Sequence, residues 1–112
     1  KEIVVWGSGK ARREFLYVDD ICYGIIYILE HYDGPEHINV GFGKDYSIKE
    51  LFQIIKEIIG YEGTAIWDQT YPDGMPQKLM DSSKILSLGW KPKTGLEEGL
   101  RITYNYFTEN CI

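Results

Sequence analysis

The chain has 112 residues, of which 44% are hydrophobic and 26% are charged, and its formal net charge is −5. These are ordinary values for a globular protein, so intrinsic disorder is not expected. The acidic balance argues against a nucleic-acid-binding surface, which is normally basic. No stretch reaches the roughly 18 apolar residues of a membrane span. The composition therefore excludes nucleic acid and membrane as expected partners.

The two cysteines, Cys22 and Cys111, form no disulfide framework and no metal-ligand spacing. This usage, together with the lack of a signal peptide, predicts a reducing, cytoplasmic location. The chain begins without methionine, directly in a predicted strand, which indicates a piece of a longer protein. Residues 1–112 are predicted to form one α/β domain, small for an enzyme that binds a cofactor.

The first twenty residues combine an apolar strand, a glycine turn and a cluster of cations. Ile3–Trp6 is a predicted strand, and the turn Gly7-Ser8-Gly9 allows backbone amides to approach a ligand. A second strand is predicted from Arg13 to Val18. The cations beside the turn suit a phosphate or diphosphate; they are Lys10, Arg12 and Arg13. On the residues alone, the alternative is a β-hairpin with solvated basic residues at its tip.

The next part of the chain predicts two helices separated by a short strand. Asp19 or Asp20 is the expected cap of an apolar helix that runs to about Tyr32. Its apolar face is wide, so more than one side should be covered. A strand is predicted over 37–41 and a loop over 42–46. Ser47-Ile48-Lys49-Glu50 then forms a capping box, and the helix that it opens ends at Gly60.

The last part contains a strand, a long loop and two further helices. Thr64–Trp67 is a predicted strand that should complete a right-handed parallel unit with the strand over 37–41. The loop of 68–77 is long enough to indicate a function. Asp81 or Ser82 should cap a short helix, and Thr94-Gly95-Leu96-Glu97 predicts a second capping box that opens the terminal helix. Trp67, Trp90, His31 and His37 are expected to be core or surface residues without a role.

Several short motifs occur in one order along almost the whole chain. They are Trp6-Gly7-Ser8-Gly9, Arg13-Glu14-Phe15-Leu16, Val18-Asp19-Asp20, His37-Ile38-Asn39-Val40-Gly41, Pro72-Asp73-Gly74, Lys78-Leu79-Met80-Asp81 and Leu88-Gly89-Trp90. In this order they resemble the extended short-chain dehydrogenase/reductase family of nucleotide-sugar enzymes. Within the family, the resemblance is to the NADP-dependent epimerase-reductases that act on GDP-4-keto-6-deoxymannose. It implies a GDP-sugar substrate and NADP as the cofactor of the full-length enzyme.

Two motifs of that family are absent from this chain. None of the nine tyrosines is followed at the fourth position by lysine, so the catalytic Tyr-x-x-x-Lys pair is not present. The dinucleotide fingerprint also fails, because Arg12 stands where its third glycine should be. No catalytic residue and no bound cofactor are therefore expected here. The resemblance implies the small C-terminal, substrate-binding portion of the enzyme, with short strands, about four helices and the N-terminal Rossmann domain missing.

The resemblance assigns four substrate-binding residues. Trp6 would cover a base or sugar, Arg13 would contact the diphosphate, Asp73 would accept hydrogen bonds from a guanine edge or sugar hydroxyls, and Lys78 would lie near the same ligand. Each has an ordinary structural alternative. For Trp6 it is a core position at a strand end, and for Arg13 it is an ion pair with a neighbouring carboxylate. For Asp73 it is a common turn, and for Lys78 it is a solvated side chain. Gln77 departs from the family pattern, which has a second basic residue there.

Three hypotheses for function follow. The first is the nucleotide-sugar-binding domain just described. The second is the same domain of another nucleotide-sugar epimerase or dehydratase, and the third is a binding module without catalytic parentage. In the parent enzyme, the missing domain should cover part of the wide apolar face of the helix that ends near Tyr32, so the isolated chain should expose this face and self-associate.

Overall fold

The computed structural model describes residues 1–112 and contains four helices and five short strands. In chain order they are β1 (Glu2–Trp6), β2 (Arg12–Glu14), α1 (Val18–His31), β3 (Asp45–Ser47), α2 (Ile48–Ile59), β4 (Thr64–Asp68), β5 (Gln77–Lys78), α3 (Ser83–Ser87) and α4 (Leu96–Asn110). The predicted α/β class with about four helices and short strands is confirmed.

The strands form two small sheets, and neither contains the predicted parallel pair of the strand over 37–41 with Thr64–Trp67. β1 pairs with β4 in parallel, and Trp6 lies opposite Asp68. β2 lies in the second sheet between β3, to which it is antiparallel, and β5, to which it is parallel. β1 and β2 therefore form no hairpin, because the turn between them carries the chain from one sheet to the other.

The predicted strand over 37–41 is wrong, and so is the parallel unit built on it. Those residues form no ladder; the Asn39 side chain instead donates to the backbone oxygen of Asp81 at 3.2 Å. β3 begins at the end of the loop predicted over 42–46, where Asp45 receives a hydrogen bond from Arg12 of the neighbouring β2. Contacts distant in sequence decide which of these two short segments becomes a strand.

The predictions for α2 are confirmed at both ends. The Ser47 hydroxyl accepts from the Glu50 amide at 3.1 Å, and the Glu50 carboxylate accepts from the Ser47 amide at 2.7 Å. This is the reciprocal capping box. Gly60 follows the last turn with φ +68°, the left-handed conformation that ends many helices.

The second capping box and the cap of α1 were predicted wrongly. The N-cap of α4 is Gly95, which has no side chain to act as a cap, and the amide of Thr94 donates to Asp20 instead of to Glu97. α1 begins at Val18 with Tyr17 as its N-cap, and not after Asp19 or Asp20 as predicted. The second strand, which was predicted to run to Val18, ends at Glu14. Asp20 lies inside the first turn of α1 and is buried, where it joins this helix to the segment before α4.

The core is small for a chain of this length. Only Ala11, Ile85 and Trp90 are buried hydrophobic residues, and Gly24 of α1 packs closely against Trp90. The radius of gyration is 16.7 Å, whereas a compact domain of this size has about 13 Å. The opposite surface of α1 is exposed and apolar; it includes Val18, Ile21, Ile25, Ile26 and Leu29. No helix combines the length and the apolar character needed to cross a membrane.

Candidate functional site at the ends of β1 and β4

The loop of residues 69–76 begins where β1 and β4 end side by side. The amide of Gly7 donates to the backbone oxygen of Asp68 at 2.9 Å, which extends the pairing by one residue. The Asp68 carboxylate accepts from the amide and the hydroxyl of Thr70 at 3.0 and 2.6 Å. The amide of Tyr71 donates to the backbone oxygen of Asp68 at 3.3 Å. These bonds form a turn that brings the loop back over β1.

This turn places two aromatic rings against each other. The rings of Trp6 and Tyr71 are stacked, with centroids 4.1 Å apart and planes inclined by 9°. Both remain accessible, Trp6 at 68% and Tyr71 at 41% of their full exposure. Trp6 is therefore not a core residue at the end of a strand but part of an exposed aromatic pair, which can stack against a flat ligand.

A carboxylate joins the loop to the glycine turn. Asp73 accepts from the backbone amide of Ser8 at 2.7 Å and from its hydroxyl at 2.5 Å. These bonds are the main cause of a lowered Asp73 pKa, and the charges of Lys10 and Arg13 lower it further, against a smaller opposing effect of burial. The amide of Ser8, which the sequence indicated as a donor to an anion, is thus occupied by a carboxylate of the chain itself.

Arg13 holds the other side of the same loop. Its Nη1 donates to the backbone oxygens of Arg12 and Met75, both at 2.7 Å, and its Nη2 to that of Asp73 at 3.4 Å. Arg13 forms none of the ion pairs in the structure, so the alternative of a surface salt bridge does not apply. All the hydrogen bonds that its guanidinium donates go to backbone oxygens.

Lys78 lies beside Arg13 because their strands pair in register. Arg13 of β2 is the direct partner of Lys78 of β5, and register partners lie on the same face of a sheet. Lys78 is exposed and in no ion pair. The structure thus brings the four sequence-predicted residues to one loop and its two borders: Trp6, Arg13, Asp73 and Lys78.

The side chain of Arg12, by contrast, is bonded to β3 and not to the loop. Its Nε donates to Asp45 at 2.9 Å, and Gln77 donates to the other oxygen of that carboxylate at 2.5 Å. Gln77 and then Arg12 lower the pKa of the buried Asp45. Gln77, which stands where the family pattern has a base, therefore helps to hold β2, β3 and β5 together. Of the predicted cation cluster, Arg13 lies on the loop and Lys10 lies close enough to Asp73 to lower its pKa.

Sequence reasoning missed two residues of the site, Ser8 and Tyr71. Ser8 lies inside the glycine turn Gly7-Ser8-Gly9, but its partner Asp73 is 65 positions away. Tyr71 directly precedes Pro72-Asp73-Gly74 in a loop that was expected to be functional. An aromatic side chain in a long loop is the sequence feature that indicates Tyr71 as a residue of the site.

Acid should loosen this site and the sheet beside it. The folded-state pKa values of Asp73 and Asp45 lie below the ordinary 3.8. Their contribution to stability is therefore complete above that value and is lost as the pH falls through the lower folded-state values. We expect the urea midpoint to stay level down to about pH 4 and to fall as the pH is lowered from there through the folded-state values. The Asp73→Asn variant should show a smaller fall, and an unchanged pH dependence in that variant would contradict the assignment.

The glycine turn offers a test of the contact with Asp73. Gly7 has φ +92°, and a Cβ at this position would lie 2.5 Å from Oδ1 of Asp73. Gly43 has a similar φ of +85° but nothing within 4 Å of such a Cβ. We expect Gly7→Ala to lower the melting temperature more than Gly43→Ala, because both carry the backbone strain and only one carries the clash. Equal losses in thermal unfolding would show that the contact is unimportant.

Comparison with known proteins finds relatives along almost the whole chain. The model of the NAD dependent epimerase/dehydratase family matches residues 1–41. A probable GDP-L-fucose synthase 1 from Oryza sativa subsp. japonica is 53% identical over 111 residues, which are 99% of this chain and 34% of the relative. The chain thus spans about a third of the length of the curated relatives that it matches.

Two solved structures show the same fold. A GDP-L-fucose synthetase from Naegleria fowleri, solved with NADP bound, superposes with a TM-score of 0.92 at 29% identity over 98% of this chain and 35% of that one. A GDP-6-OMe-4-keto-L-xylo-heptose reductase from Campylobacter jejuni superposes with a TM-score of 0.91 at 39% identity, over 97% of this chain and 34% of that one. The chain is therefore homologous to a part of these nucleotide-sugar enzymes.

Proposed function

We propose that this chain, a homologue of GDP-L-fucose synthases with a match to the NAD dependent epimerase/dehydratase family, is the nucleotide-sugar-binding part of a longer, cytoplasmic epimerase-reductase. The complete enzyme would convert GDP-4-keto-6-deoxymannose to GDP-L-fucose with NADP. The observation that carries the proposal is the convergence of Trp6, Arg13, Asp73 and Lys78 on one loop.

The binding roles follow from the chemistry of these side chains. Arg13 and Lys78 are adjacent cations without ionic partners, which suits a diphosphate. The exposed ring of Trp6 suits a base. The Asp73 oxygens already accept from Ser8 but retain lone pairs, so they can also accept from a guanine edge or a sugar hydroxyl.

The residues of this chain do not fit NADP. Arg12 stands in the place of the third fingerprint glycine and is bonded to Asp45, and the amide of Ser8 is bonded to Asp73. We therefore assign the cofactor and the catalytic Ser, Tyr and Lys to an N-terminal Rossmann domain outside this chain. Groups that hold the substrate and the transition state equally do not accelerate a step, so the chain supplies binding alone.

The shape of the chain supports a covering domain of this kind. The apolar surface of α1 is exposed, and an apolar cavity of about 380 Å³ lies between α2, α4 and the segment before α1. Soluble proteins rarely leave several apolar areas uncovered. We assign the surface of α1 to contact with the Rossmann domain.

A related function has support from one comparison. The Campylobacter reductase named above matches with a TM-score of 0.91, so reduction of another GDP-linked 4-keto sugar is the second candidate. The two candidates share the nucleotide and differ in the sugar.

Titration of the complete gene product and of the 112-residue chain with GDP, UDP and NADPH tests the proposal. We expect the complete product to bind GDP and NADPH, and to oxidise NADPH when GDP-4-keto-6-deoxymannose is added. The chain alone should bind GDP with a millimolar Kd, because few contacts offset the cost of association, and should not bind NADPH. NADPH binding by the chain alone, or a preference for UDP, would contradict the proposal.

The chain alone should also self-associate. Leu29 at 78%, Val18 at 60% and Ile25 at 51% exposure form an apolar surface on α1 that association would cover. We expect the sedimentation coefficient of the chain to rise with concentration, and the variant Ile25→Glu to remain monomeric. A wild-type chain that stays monomeric at high concentration would contradict this expectation.

A further inference from the structure

We propose that Tyr71 is a positioning residue that fixes the ring of Trp6 for stacking with the purine base of the ligand. This inference rests on the proposed function, because it concerns the nucleotide end of the same site. The tyrosine was not among the residues that the sequence indicated, and it acts through Trp6 rather than on the reacting sugar.

The position of Tyr71 is set by the backbone and not by a fortuitous surface contact. Trp6 and Asp68 are register partners at the ends of β1 and β4. The Asp68 side chain accepts from Thr70, and its backbone oxygen accepts from Tyr71, so the chain turns back over Trp6. Asp73, two residues further on, is fastened to Ser8, two residues after Trp6. The stack is therefore fixed on both sides along the loop.

The stack leaves one face of the tryptophan for a ligand. At a centroid distance of 4.1 Å and an inclination of 9°, Tyr71 covers one face of the Trp6 ring. Trp6 nevertheless keeps 68% of its exposure, so its other face is open to solvent. An exposed tryptophan without Tyr71 would sample several orientations, and binding would have to order it. Because Tyr71 already holds the Trp6 ring in one orientation in the free protein, binding does not have to order that ring, and this preorganisation raises the affinity.

The open face favours a purine over a pyrimidine. Stacking grows with the area of overlap between flat rings, and the bicyclic indole of Trp6 matches a bicyclic purine. Arg13 and Lys78 lie beyond the same loop, with Arg13 bonded to the backbone of Asp73 and Met75. A base on Trp6 and a diphosphate at these cations would therefore contact the loop at its two borders. The recognised ligand is a purine nucleoside diphosphate group.

The test compares Tyr71→Leu with Tyr71→Phe in the complete gene product. Tyr106→Leu is the matched control, because Tyr106 is also exposed, at 65%, but lies on α4 and in no aromatic pair. The near-ultraviolet circular dichroism of the free protein reports the stack, and titration with GDP and UDP reports its effect. Steady-state kinetics with the GDP-sugar separate KM from kcat.

We expect Tyr71→Leu to change the circular dichroism and to raise the Kd of GDP and the KM of the GDP-sugar by about two- to ten-fold. The kcat and the NADPH affinity should stay unchanged, and the preference for GDP over UDP should shrink. Tyr71→Phe retains the ring and should restore all of these values, whereas Tyr106→Leu should change none of them.

Two results would overturn the inference, and they are distinguishable from failure of the proposed function. The first is a wild-type protein that binds GDP while Tyr71→Leu binds it equally well. The second is a loss in Tyr71→Leu that extends to NADPH affinity and thermal stability, which would show a general folding role. A wild-type complete protein that binds neither GDP nor the GDP-sugar would overturn the proposed function itself, and the inference with it.

Discussion

Replacement of Arg13 by alanine should weaken binding of the GDP-sugar by about ten- to one-hundred-fold or more in the complete gene product. A hydrogen bond to a charged group contributes about 1.5–3 kcal/mol, and a loss of this size corresponds to that change in Kd. The affinity for NADPH should stay nearly unchanged, because no residue of this chain is assigned to the cofactor. Calorimetric titration of both ligands measures the difference.

The geometry of Arg13 requires two controls. Because the guanidinium also donates to the backbone of Met75 and Asp73, the alanine variant loses support for the loop as well as a charge. Arg13→Lys keeps the charge but cannot make the same set of planar hydrogen bonds. Binding by the lysine variant near the wild-type level would show that charge dominates. Arg101→Ala removes another exposed arginine, on α4, and should have no effect. An equal loss of substrate and NADPH binding in Arg13→Ala would indicate misfolding and contradict the assignment.

Local sequence signals predicted the features whose partners lie within one helical turn. The Ser47–Glu50 capping box and the end of α2 at Gly60 are of this kind. The box at Thr94 does not form, because α4 has Gly95 as its N-cap and the amide of Thr94 donates to Asp20, 74 positions away. A sequence pattern shows which groups can cap a helix, but it does not show a competing partner so far along the chain.

The same limit applies to the strands. The short segment 37–41 has the composition of a strand but pairs with nothing, whereas β3 forms next to Arg12 of β2. Strands of two or three residues have few ladder hydrogen bonds of their own, so side-chain contacts such as Arg12–Asp45 and Gln77–Asp45 decide where they form. These pairs lie more than 30 positions apart.

For the candidate site, the resemblance supplied residues that composition and spacing alone could not select. Trp6 and Arg13 lie in an early motif, and Asp73 and Lys78 lie in late ones, with no local feature that links them. The structure adds what joins them, namely the Ser8–Asp73 bonds, the Arg13 bonds to the loop and the Trp6–Tyr71 stack. Each joins segments that are distant in sequence.

Replacement of Asp20 by alanine should lower the free energy of unfolding by about 2–4 kcal/mol. The buried Asp20 carboxylate accepts from the backbone amides of Lys93 and Thr94 at 3.2 and 2.9 Å. Alanine would remove both hydrogen bonds, and a hydrogen bond to a charged group contributes about 1.5–3 kcal/mol. The amide of the exposed Lys93 can bond to water instead, so the two losses do not add in full. The expected loss is a large fraction of the about 5–15 kcal/mol that stabilises a typical domain. Urea unfolding of the complete gene product measures the change.

Asp19→Ala is the matched control for this experiment. Asp19 lies in the same first turn of α1 and carries the same charge, but it is exposed. Both variants therefore lose the same favourable interaction with the helix dipole, about 0.3–1 kcal/mol, and only Asp20→Ala loses the link to the start of α4. Asp20→Asn keeps an oxygen that can accept from the amides, so it should restore part of the stability.

Because Trp90 packs on α1 close to this link, separation of α1 from α4 would expose a buried tryptophan and shift its fluorescence to longer wavelength. Equal stability of Asp19→Ala and Asp20→Ala would show that helix electrostatics, and not the link between α1 and α4, accounts for the effect of Asp20.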